Sequence, residues 1–584
     1  MKKYTFFMIL IILFTFSSPA WSATYYVKTG GNDSLDGLSD ATAWATISKV
    51  QATVTSGDTV YFRSQDTWTG TPPILTAAAG VTYDGSTYGS GTRATIQATA
   101  DDPGTITNGE ILIQVSNVTL KGLNVDGNGY MTTGVNLGYS ASMTGNITGF
   151  TFNNLYVHNS RTTDSGSQYY YGILVSNRSS YNTQNVTITN TEVGPTGHEG
   201  IAIYPAWATG GNKVDTILVQ NCNIHNTGSV TGTRGNGIDV ANAVTNATIK
   251  NNYIHDITNT NINAFAMAWY NPAVYGYPTN LVFSDNFLYN TTGISTATYG
   301  YGIQGSAVIS YNISVGGGVQ LSSDNYTSAA IKFYNNTFYV TYYGYGLYVN
   351  DGATNMSGVE FRNNIIWTAG SALWPIKDDN VALTAHSNNL LYNTTGRTTL
   401  VSTTPTTYTT SNITSWESTA KNANPLFTDG SSTYSLASDF TLQVGSPAIN
   451  AGTSVGLTTD YEGVSVSSTP SIGAYEYVSS SGVTTPPPTT TPSVTTTPSV
   501  TTTPPTTTLS SITINRIMVK ITLTCNDSWG PGCVITYYTT NGQTPTTSST
   551  AYFSPFNVKT KTTIKYFSID KAGNIEGVKT SYIN

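Results

Sequence analysis

The chain has 584 residues, a formal net charge of -7, only 9% charged residues, 55 glycines and 40 tyrosines. A sparse, acidic charge balance gives no basic footprint and excludes a nucleic-acid partner, and abundant small polar and aromatic residues suit a β-rich extracellular protein. Length alone permits several domains, but a repeat architecture can absorb most of it as one.

Lys2-Lys3, the apolar run from Phe6 to Phe16 and the small residues Ala20 and Ser22 have the three parts of a signal peptide over 1–22, with cleavage before Ala23. The run is short for a membrane span. The expected mature protein is therefore secreted or held at the cell surface, without a transmembrane segment. Thr24–Val27 reads as a strand, 30–39 as turns, and Asp40–Thr53 as a helix with Trp44, Ile47 and Val50 on one face. Such a helix suits the lid that the first coil of a solenoid needs. Asp33 and Asp36 lack the spacing of an EF-hand loop and read as turn residues; no cofactor is implied, and calcium is the one left open.

The middle of the chain repeats one pattern: apolar, any, Asn, any, any, apolar, polar, polar. It starts at Leu120, Phe152, Ile188, Val219, Ile249, Phe283, Ile309, Phe333, Phe361 and His386, at steps of 32, 36, 31, 30, 34, 26, 24, 28 and 25 residues. Between copies lie Gly-apolar-any-apolar segments, such as Gly172–Val175, Gly200–Ile203, Gly237–Val240, Gly302–Gln304 and Gly346–Val349. Period-two apolar residues within a repeat of 20–50 residues predict coils of short strands stacked as a parallel β-helix. The third slot (Asn154, Asn190, Asn221, Asn251, Asp285, Asn335, Asn363, Asn388) suits a left-handed turn, and its amides are expected to bond along the stack. The sixth slot, Val125, Val157, Val193, Ile224, Ile254, Leu288, Phe338, Ile366 and Leu391 with Ser314 the exception, reads as the core column.

Tyr25-Tyr26-Val27, Gly30, Asp33, Asp36-Gly37-Leu38-Ser39, Trp44 and Gly57-Asp58-Thr59-Val60 resemble the opening of exported bacterial right-handed parallel β-helix proteins of the pectate-lyase-like superfamily. Asn424-Pro425-Leu426-Phe427, Gly445–Gly452, Asp460–Gly463 and Ile472–Glu476 are similar to their closing block, although the basic residue that often follows the Asp-x-x-Gly turn is missing. That block would be a C-terminal lid, giving a β-helix over 23–478. Residues 479–511 repeat Thr and Pro and read as an extended spacer. Over 512–584, Ile521–Cys525, Cys533–Gly542, Tyr566–Asp570 and Ala572–Glu576 resemble the immunoglobulin-like C-terminal module of chitobiase and β-hexosaminidase. Export permits a Cys525–Cys533 disulfide, whereas Cys222 reads as a small buried residue. The fold class is thus all-β, a right-handed parallel β-helix followed by a small sandwich, and a monomer is expected.

The superfamily resemblance implies work on polysaccharides by elimination, hydrolysis or epimerisation along an outer face. The densest ionisable cluster is His198 and Glu199 with Arg234 and Asp239 on the next coil, adjoining Arg161 and Asp164. With coils about 4.8 Å apart, Arg234 could bind an anionic sugar, His198 could act as base and Glu199 with Asp239 as a carboxyl pair. No complete catalytic set of a known family matches. The seventh slot, His158, His225, His255, Tyr289, Tyr339, Trp367 and Tyr392, points outward and suits either sugar stacking or ordinary sheet pairing. Two histidines without a third ligand do not make a metal site. Two functions stay open: a lyase or hydrolase acting on polysaccharide, and a non-catalytic adhesin or matrix protein that binds a cell-surface glycan.

Overall fold

The structure is a computed structural model and describes residues 22–102, 108–139, 143–160, 170–177, 181–205, 213–228, 235–257, 267–270, 278–297, 305–322, 329–341, 344–349, 358–370, 373–378, 383–428, 434–478, 504–515, 518–526, 533–546, 549–552, 556–570 and 574–583. The chain divides into two compact units, Met1–Ser481 and Gly482–Asn584. The expected signal peptide falls almost wholly outside the described residues.

In the first unit each coil visits three sheets in turn. The first sheet runs from Thr24–Val27 to Ala385–Ser387, the second from Thr67–Gly70 to Leu390–Asn393, and the third from Leu75–Thr76 to Thr399–Thr403. Pairing is parallel throughout, until the antiparallel strand Thr407–Thr409 closes the third sheet. The ten first-slot residues pair directly above one another from Leu120 to His386. Sixth-slot side chains fill the main core, where Ser314 satisfies its hydroxyl by donating to the Gly317 carbonyl at 2.7 Å. Coils also precede the first readable repeat: Thr59–Arg63 and Thr82–Tyr88 stack in the first sheet without carrying the motif.

All ten third-slot residues, including Gly122 and Tyr311, have φ between 52° and 59°. This left-handed residue turns the chain from the first sheet into the second. One third-slot pair does bond along the stack, Asn363 Nδ2 to Asn335 Oδ1 at 3.0 Å, but the continuous polar ladder lies one place further on. The stacked amides belong to the fourth slot, where Asn252, Asn286, Asn312, Asn336, Asn364 and Asn389 are buried. Each donates its Nδ2 to the Oδ1 of the next, at 2.9, 2.8, 3.0, 2.9 and 3.2 Å, and each Oδ1 from Asn286 to Asn389 also accepts the backbone N–H of the preceding rung. Asn389 ends the ladder on the buried carboxylate of Glu417, bonding it at 2.7 and 2.8 Å.

The helix is shorter than the expected 40–53. It spans Ile47–Thr53, because the Asp33 carboxylate accepts the amides of Ala45 and Thr46 and the Thr46 hydroxyl and so fixes a non-helical approach. Its Ile47 and Val50 enter the main core beside Trp44. Asp36 accepts the Leu38 amide at 3.0 Å, so both aspartates hold turns.

The C-terminal end differs from the expected lid. Ile413 and Ala420 join the main core at the last coil. Residues 424–428 and 434–477 instead lie along the outer face of the second sheet, where Phe427, Tyr434, Phe440, Ile472 and Tyr475 pack on Phe287, Ile313, Trp367 and Leu390. From Phe287 onward the second-sheet strands present apolar residues on both faces, and the outer one needs a cover.

The second unit has an antiparallel sheet of Thr506–Asn515, Met518–Asn526 and Phe556–Lys559, and another of Thr550–Ala551, Cys533–Thr539, Thr562–Asp570 and Lys579–Ile583. Val519, Ile521, Leu523, Ile564 and Tyr566 form its core. The first strand begins inside the stretch expected as spacer, because buried Glu576 accepts both the Thr507 amide, at 2.7 Å, and the Thr507 hydroxyl. Cys525 is disulfide-bonded and Cys222 is a free, buried thiol.

Candidate active site on the third sheet

Glycine at the start of several third-sheet strands lets the backbone sink toward the core. A Cβ on Gly172 would meet Val193 at 2.4 Å, and one on Gly346 would meet Ile366 at 2.1 Å. Two successive residues therefore face inward, and the outward positions lie on either side of them. Carried from coil to coil by the pairing register, these positions form two columns. One contains Asn136, Leu174, Ala202, Asp239, Ala268, Ser295, Gln320, Tyr348, Lys377 and Ser402. The other contains Tyr171, Glu199 and Asn236 in the early coils and Tyr345 and Trp374 in the late ones.

In the early coils the columns gather acids and phenols. Tyr171, Leu174 and Ala202 pack with Tyr139 and Tyr204, and the Tyr171 and Tyr204 hydroxyls are 2.7 Å apart. Burial drives the Tyr204 phenol strongly upward, the Tyr171 hydrogen bond opposes it, and the Glu199 and Asp239 carboxylates push it further up. Glu199 is 3% exposed, Asp239 1% and His198 2%. The His198 carbonyl accepts the Gly228 amide at 3.0 Å, and Gly228 lies against Gly235. Arg234, Arg161 and Asp164 lie outside the described residues. Of the four expected catalytic residues, Glu199 and Asp239 occupy the two outward columns on adjacent coils, and His198 precedes Glu199 in the chain.

In the late coils the same columns carry rings and cations. Tyr345 stacks on Trp374 at 5.5 Å and 7° and on Tyr348 at 4.7 Å. Lys377 Nζ lies 5.3 Å from the Tyr345 ring centre and 5.2 Å from that of Tyr348, and the Arg397 guanidinium lies 4.3 Å from that of Trp374. All five side chains are half-buried. Sequence reading missed this cluster. Its signal is the matched i, i+3 pairs Tyr345/Tyr348 and Trp374/Lys377.

The seventh-slot stripe is divided. Tyr289, Tyr339, Trp367 and Tyr392 lie beneath 424–477: Trp367 is 5% exposed and packs at 5.5 Å from Phe427 and 5.0 Å from Tyr434. Trp367 is thus a packing residue, while Tyr289, Tyr339 and Tyr392 pack against the same cluster and stay partly exposed. His158, His225 and His255 are half-buried in polar neighbourhoods. Burial lowers the pKa of His158, which bonds Asn124 at 2.8 Å, and of His255, which bonds Asn223 at 3.0 Å. Burial also opposes protonation of His225, but its 3.2 Å contact with Glu192 outweighs this and raises its pKa. Among the described residues no group of three or more His, Cys, Asp or Glu could hold a metal ion, and no helix is long and apolar enough to cross a membrane. Burial pushes the Cys222 thiol up to about 12, which leaves it unreactive.

Comparison with known families agrees with this architecture. Residues 171–395 match the right-handed β-helix region family. The first unit is a right-handed parallel β-helix. Residues 516–580 match the chitobiase/β-hexosaminidase C-terminal domain, so this β-helix protein also carries an immunoglobulin-like module. No curated protein matches the sequence. Similar solved structures include the pectate lyase Pel9A, at 16% identity and TM-score 0.42 over 78% of this chain and 96% of that one. XylC in complex with xylose matches at 10% identity and TM-score 0.42, covering 78% and 98%. A GH136 lacto-N-biosidase from Eubacterium ramulus matches at 14% and 0.37, covering 64% of each. At such identities and TM-scores these likenesses carry no argument about activity.

Proposed function

We propose that this is an exported protein that binds polysaccharide along the outer face of the third sheet and cleaves it at the Glu199–Asp239–Tyr204 cluster. The observation that carries the reading is that Glu199 and Asp239, both buried, occupy the two outward columns on adjacent coils, beside the Tyr171–Tyr204 pair whose hydroxyls are 2.7 Å apart. Two carboxyl groups are the minimum for glycoside hydrolysis: one protonates the leaving oxygen while the other attacks the anomeric carbon or activates water. Elimination would use His198 as the base and the protonated Tyr204 as the acid, with Arg234 offsetting the uronate charge. Export rests on the three-part pattern of 1–22, and the Thr/Pro tract serves as a spacer ahead of the module.

The test is a panel of polygalacturonate, alginate and chondroitin with the mature protein, read at the ultraviolet absorbance of unsaturated uronates and by reducing ends. Elimination raises both signals, and hydrolysis raises only the second. Glu199→Gln and Asp239→Asn should each lower the rate by about a hundredfold or more; folded variants with the wild-type rate would refute the assignment. A second reading, a non-catalytic glycan-binding protein, is favoured by the near-complete burial of Glu199 and Asp239. Wild-type protein that is retained by one of these glycans and releases no product would establish it.

A further inference from the structure

In the late coils the third-slot turn residues also hold the segment that covers the second sheet. Asn388 Nδ2 donates to the Ala451 carbonyl at 2.9 Å, Asn363 Nδ2 to the Thr453 carbonyl at 2.8 Å and Asn335 Nδ2 to the Ser471 carbonyl at 3.0 Å. The Asn363 carbonyl accepts the Gly473 amide at 2.8 Å, and Thr337 Oγ1 accepts the Ala474 amide at 3.0 Å. The column is thus a polar rail for the cover. Its next two members toward the N-terminus are Tyr311 and Asp285, and neither carries the side-chain amide that makes these bonds.

The part of the cover at that end of the rail is acidic. Asp460, 3% exposed, accepts the amides of Glu462, Val464 and Glu476 at 3.0, 2.8 and 2.8 Å, which ties its carboxyl to the Glu476 backbone. Glu476 is half-buried and accepts the amide of Ser471, the residue whose carbonyl Asn335 bonds, at 3.1 Å. Tyr311 and Tyr475 are buried, and among the described residues neither hydroxyl has a hydrogen-bond partner. The other titratable groups of this junction are Tyr461, whose ring centre lies 5.4 Å from that of Tyr475, the exposed Glu462, Asp439, and Lys250, which pairs with Ser284 beside Asp285.

Carboxylates gathered away from water resist ionisation, by desolvation and by mutual repulsion. Burial lifts Asp285 to about 6; Asp460 adds to the rise, while the Ser284 hydrogen bond and Lys250 oppose it. Burial also raises Asp460, against the amides that bond it, and Glu476, against its Ser471 bonds and with Asp460 adding to the rise. The Tyr311 phenol is raised by burial and then by Glu476, Asp460 and Asp285, so it stays a neutral hydroxyl whose oxygen can accept from an acid O–H.

We propose that Asp285, Asp460 and Glu476 form an acid-operated latch, which holds residues 460–477 on the β-helix when the carboxyl groups are protonated and loosens them when they ionise. Tyr311 supplies the hydroxyl to which a protonated carboxyl donates, at a rail position where asparagine would bond the cover at any pH. A carboxyl whose folded value is raised contributes stability that is fully present below its ordinary 3.8 and lost as pH rises through the folded value, about 6 for Asp285. The latch acts on the cover of the second sheet and stands apart from the cleavage reading of the third.

The test follows hydrogen exchange of the full chain by mass spectrometry at about pH 4.5 and 7.5, corrected for the intrinsic exchange rate, in peptides covering 460–477. The Asp285 shift alone predicts a rise in their opening of roughly thirtyfold between the two, with the strands Thr183–Thr189 and Val214–Gln220 keeping their protection. Asp285→Asn restores the asparagine of the repeat at a left-handed position that asparagine adopts, so the variant should fold and lose that thirtyfold share of the dependence. Glu476→Gln should also weaken the dependence, and it keeps the test available should Asp285→Asn misfold. Equal protection of 460–477 at the two pH values overturns the latch, as does the wild-type dependence in folded Asp285→Asn. An equal rise in opening in the early strands marks general loosening of the solenoid and overturns it too.

Discussion

Asn336→Leu tests the amide ladder directly. Asn336 is fully buried; its Oδ1 accepts the Asn312 amide and the Asn312 Nδ2, both at 3.0 Å, and its Nδ2 donates to the Ile309 carbonyl at 2.9 Å and to Asn364 Oδ1 at 2.9 Å. Leucine has nearly the same volume but none of these groups, so the substitution orphans the Asn312 backbone N–H, while the Ile309 carbonyl stays in the parallel ladder with the next coil. Asn312 Nδ2 keeps the Phe283 carbonyl, and Asn364 Oδ1 keeps the Asn336 amide, so neither is stranded. One stranded buried group at about 1–3 kcal/mol and the lost side-chain bonds at about 1 kcal/mol each, less part of the gain from burying an alkyl chain, give a loss of about 1–3 kcal/mol. Urea denaturation followed by far-ultraviolet circular dichroism reads this as a fall in midpoint. The opposite change belongs at the ladder's N-terminal end. Cys222 already accepts the Thr191 amide and has its sulfur near the Gln220 and Ile188 carbonyls, the positions that Nδ2 of Asn364 bonds at Arg362 and Phe333. Cys222→Asn should therefore add a rung and stabilise the stack by about 1 kcal/mol, read as a higher midpoint. An unchanged midpoint in Asn336→Leu would refute the claim that amide satisfaction stabilises the stack.

Three further outcomes are expected. His225, raised above its ordinary 6.5, contributes stability that is present below 6.5 and lost as pH rises through its folded value, while Glu192, lowered below 4.5, loses its contribution as pH falls through its own folded value. The pair thus stabilises most between about pH 4.5 and 6.5, and thermal midpoints of His225→Gln should fall furthest behind wild type in that window and converge with it by pH 8. Trp367→Ala should cost about 3–5 kcal/mol and open 424–477 to limited proteolysis while leaving glycan retention unchanged; lost retention with the fold intact would return this ring to a sugar-binding role. Cys525→Ser should lower the unfolding transition of the second unit and leave that of the β-helix in place, as calorimetry of the full chain would resolve; a pairing of Cys525 with Cys533 predicts the same transition for Cys533→Ser.

The repeats made the solenoid legible because three kinds of slot are chemically distinct: a left-handed turn residue, an inward apolar residue and a glycine ahead of the third-sheet strand. The amide ladder was placed one residue early because Asn335-Asn336, Asn363-Asn364 and Asn388-Asn389 are doublets, and composition does not say which member faces inward. Backbone geometry decides it: the left-handed residue turns out and its successor turns in. Covering of Tyr339 and Trp367 was not legible, since a ring that will meet Tyr434 reads the same as one that will meet a sugar. Glu199 and Asp239 could be placed on adjacent coils from the sequence, because they lie at the matching segments Gly200–Ile203 and Gly237–Val240. Tyr348 and Asp239 share a column only through four successive registers with coils of unequal length, which no single periodicity supplies.

Glu417 and the Thr407–Thr409 strand together decide how long the molecule is. A parallel stack presents the same open edge after every coil, and nothing in its repeat says where to stop. The strand crosses that edge in the opposite direction, and the carboxylate takes up the last amide that would otherwise reach for another rung. Removing this stop would leave the finished column ready to template a second molecule, so the same residues that end the solenoid also keep it from growing into a fibre.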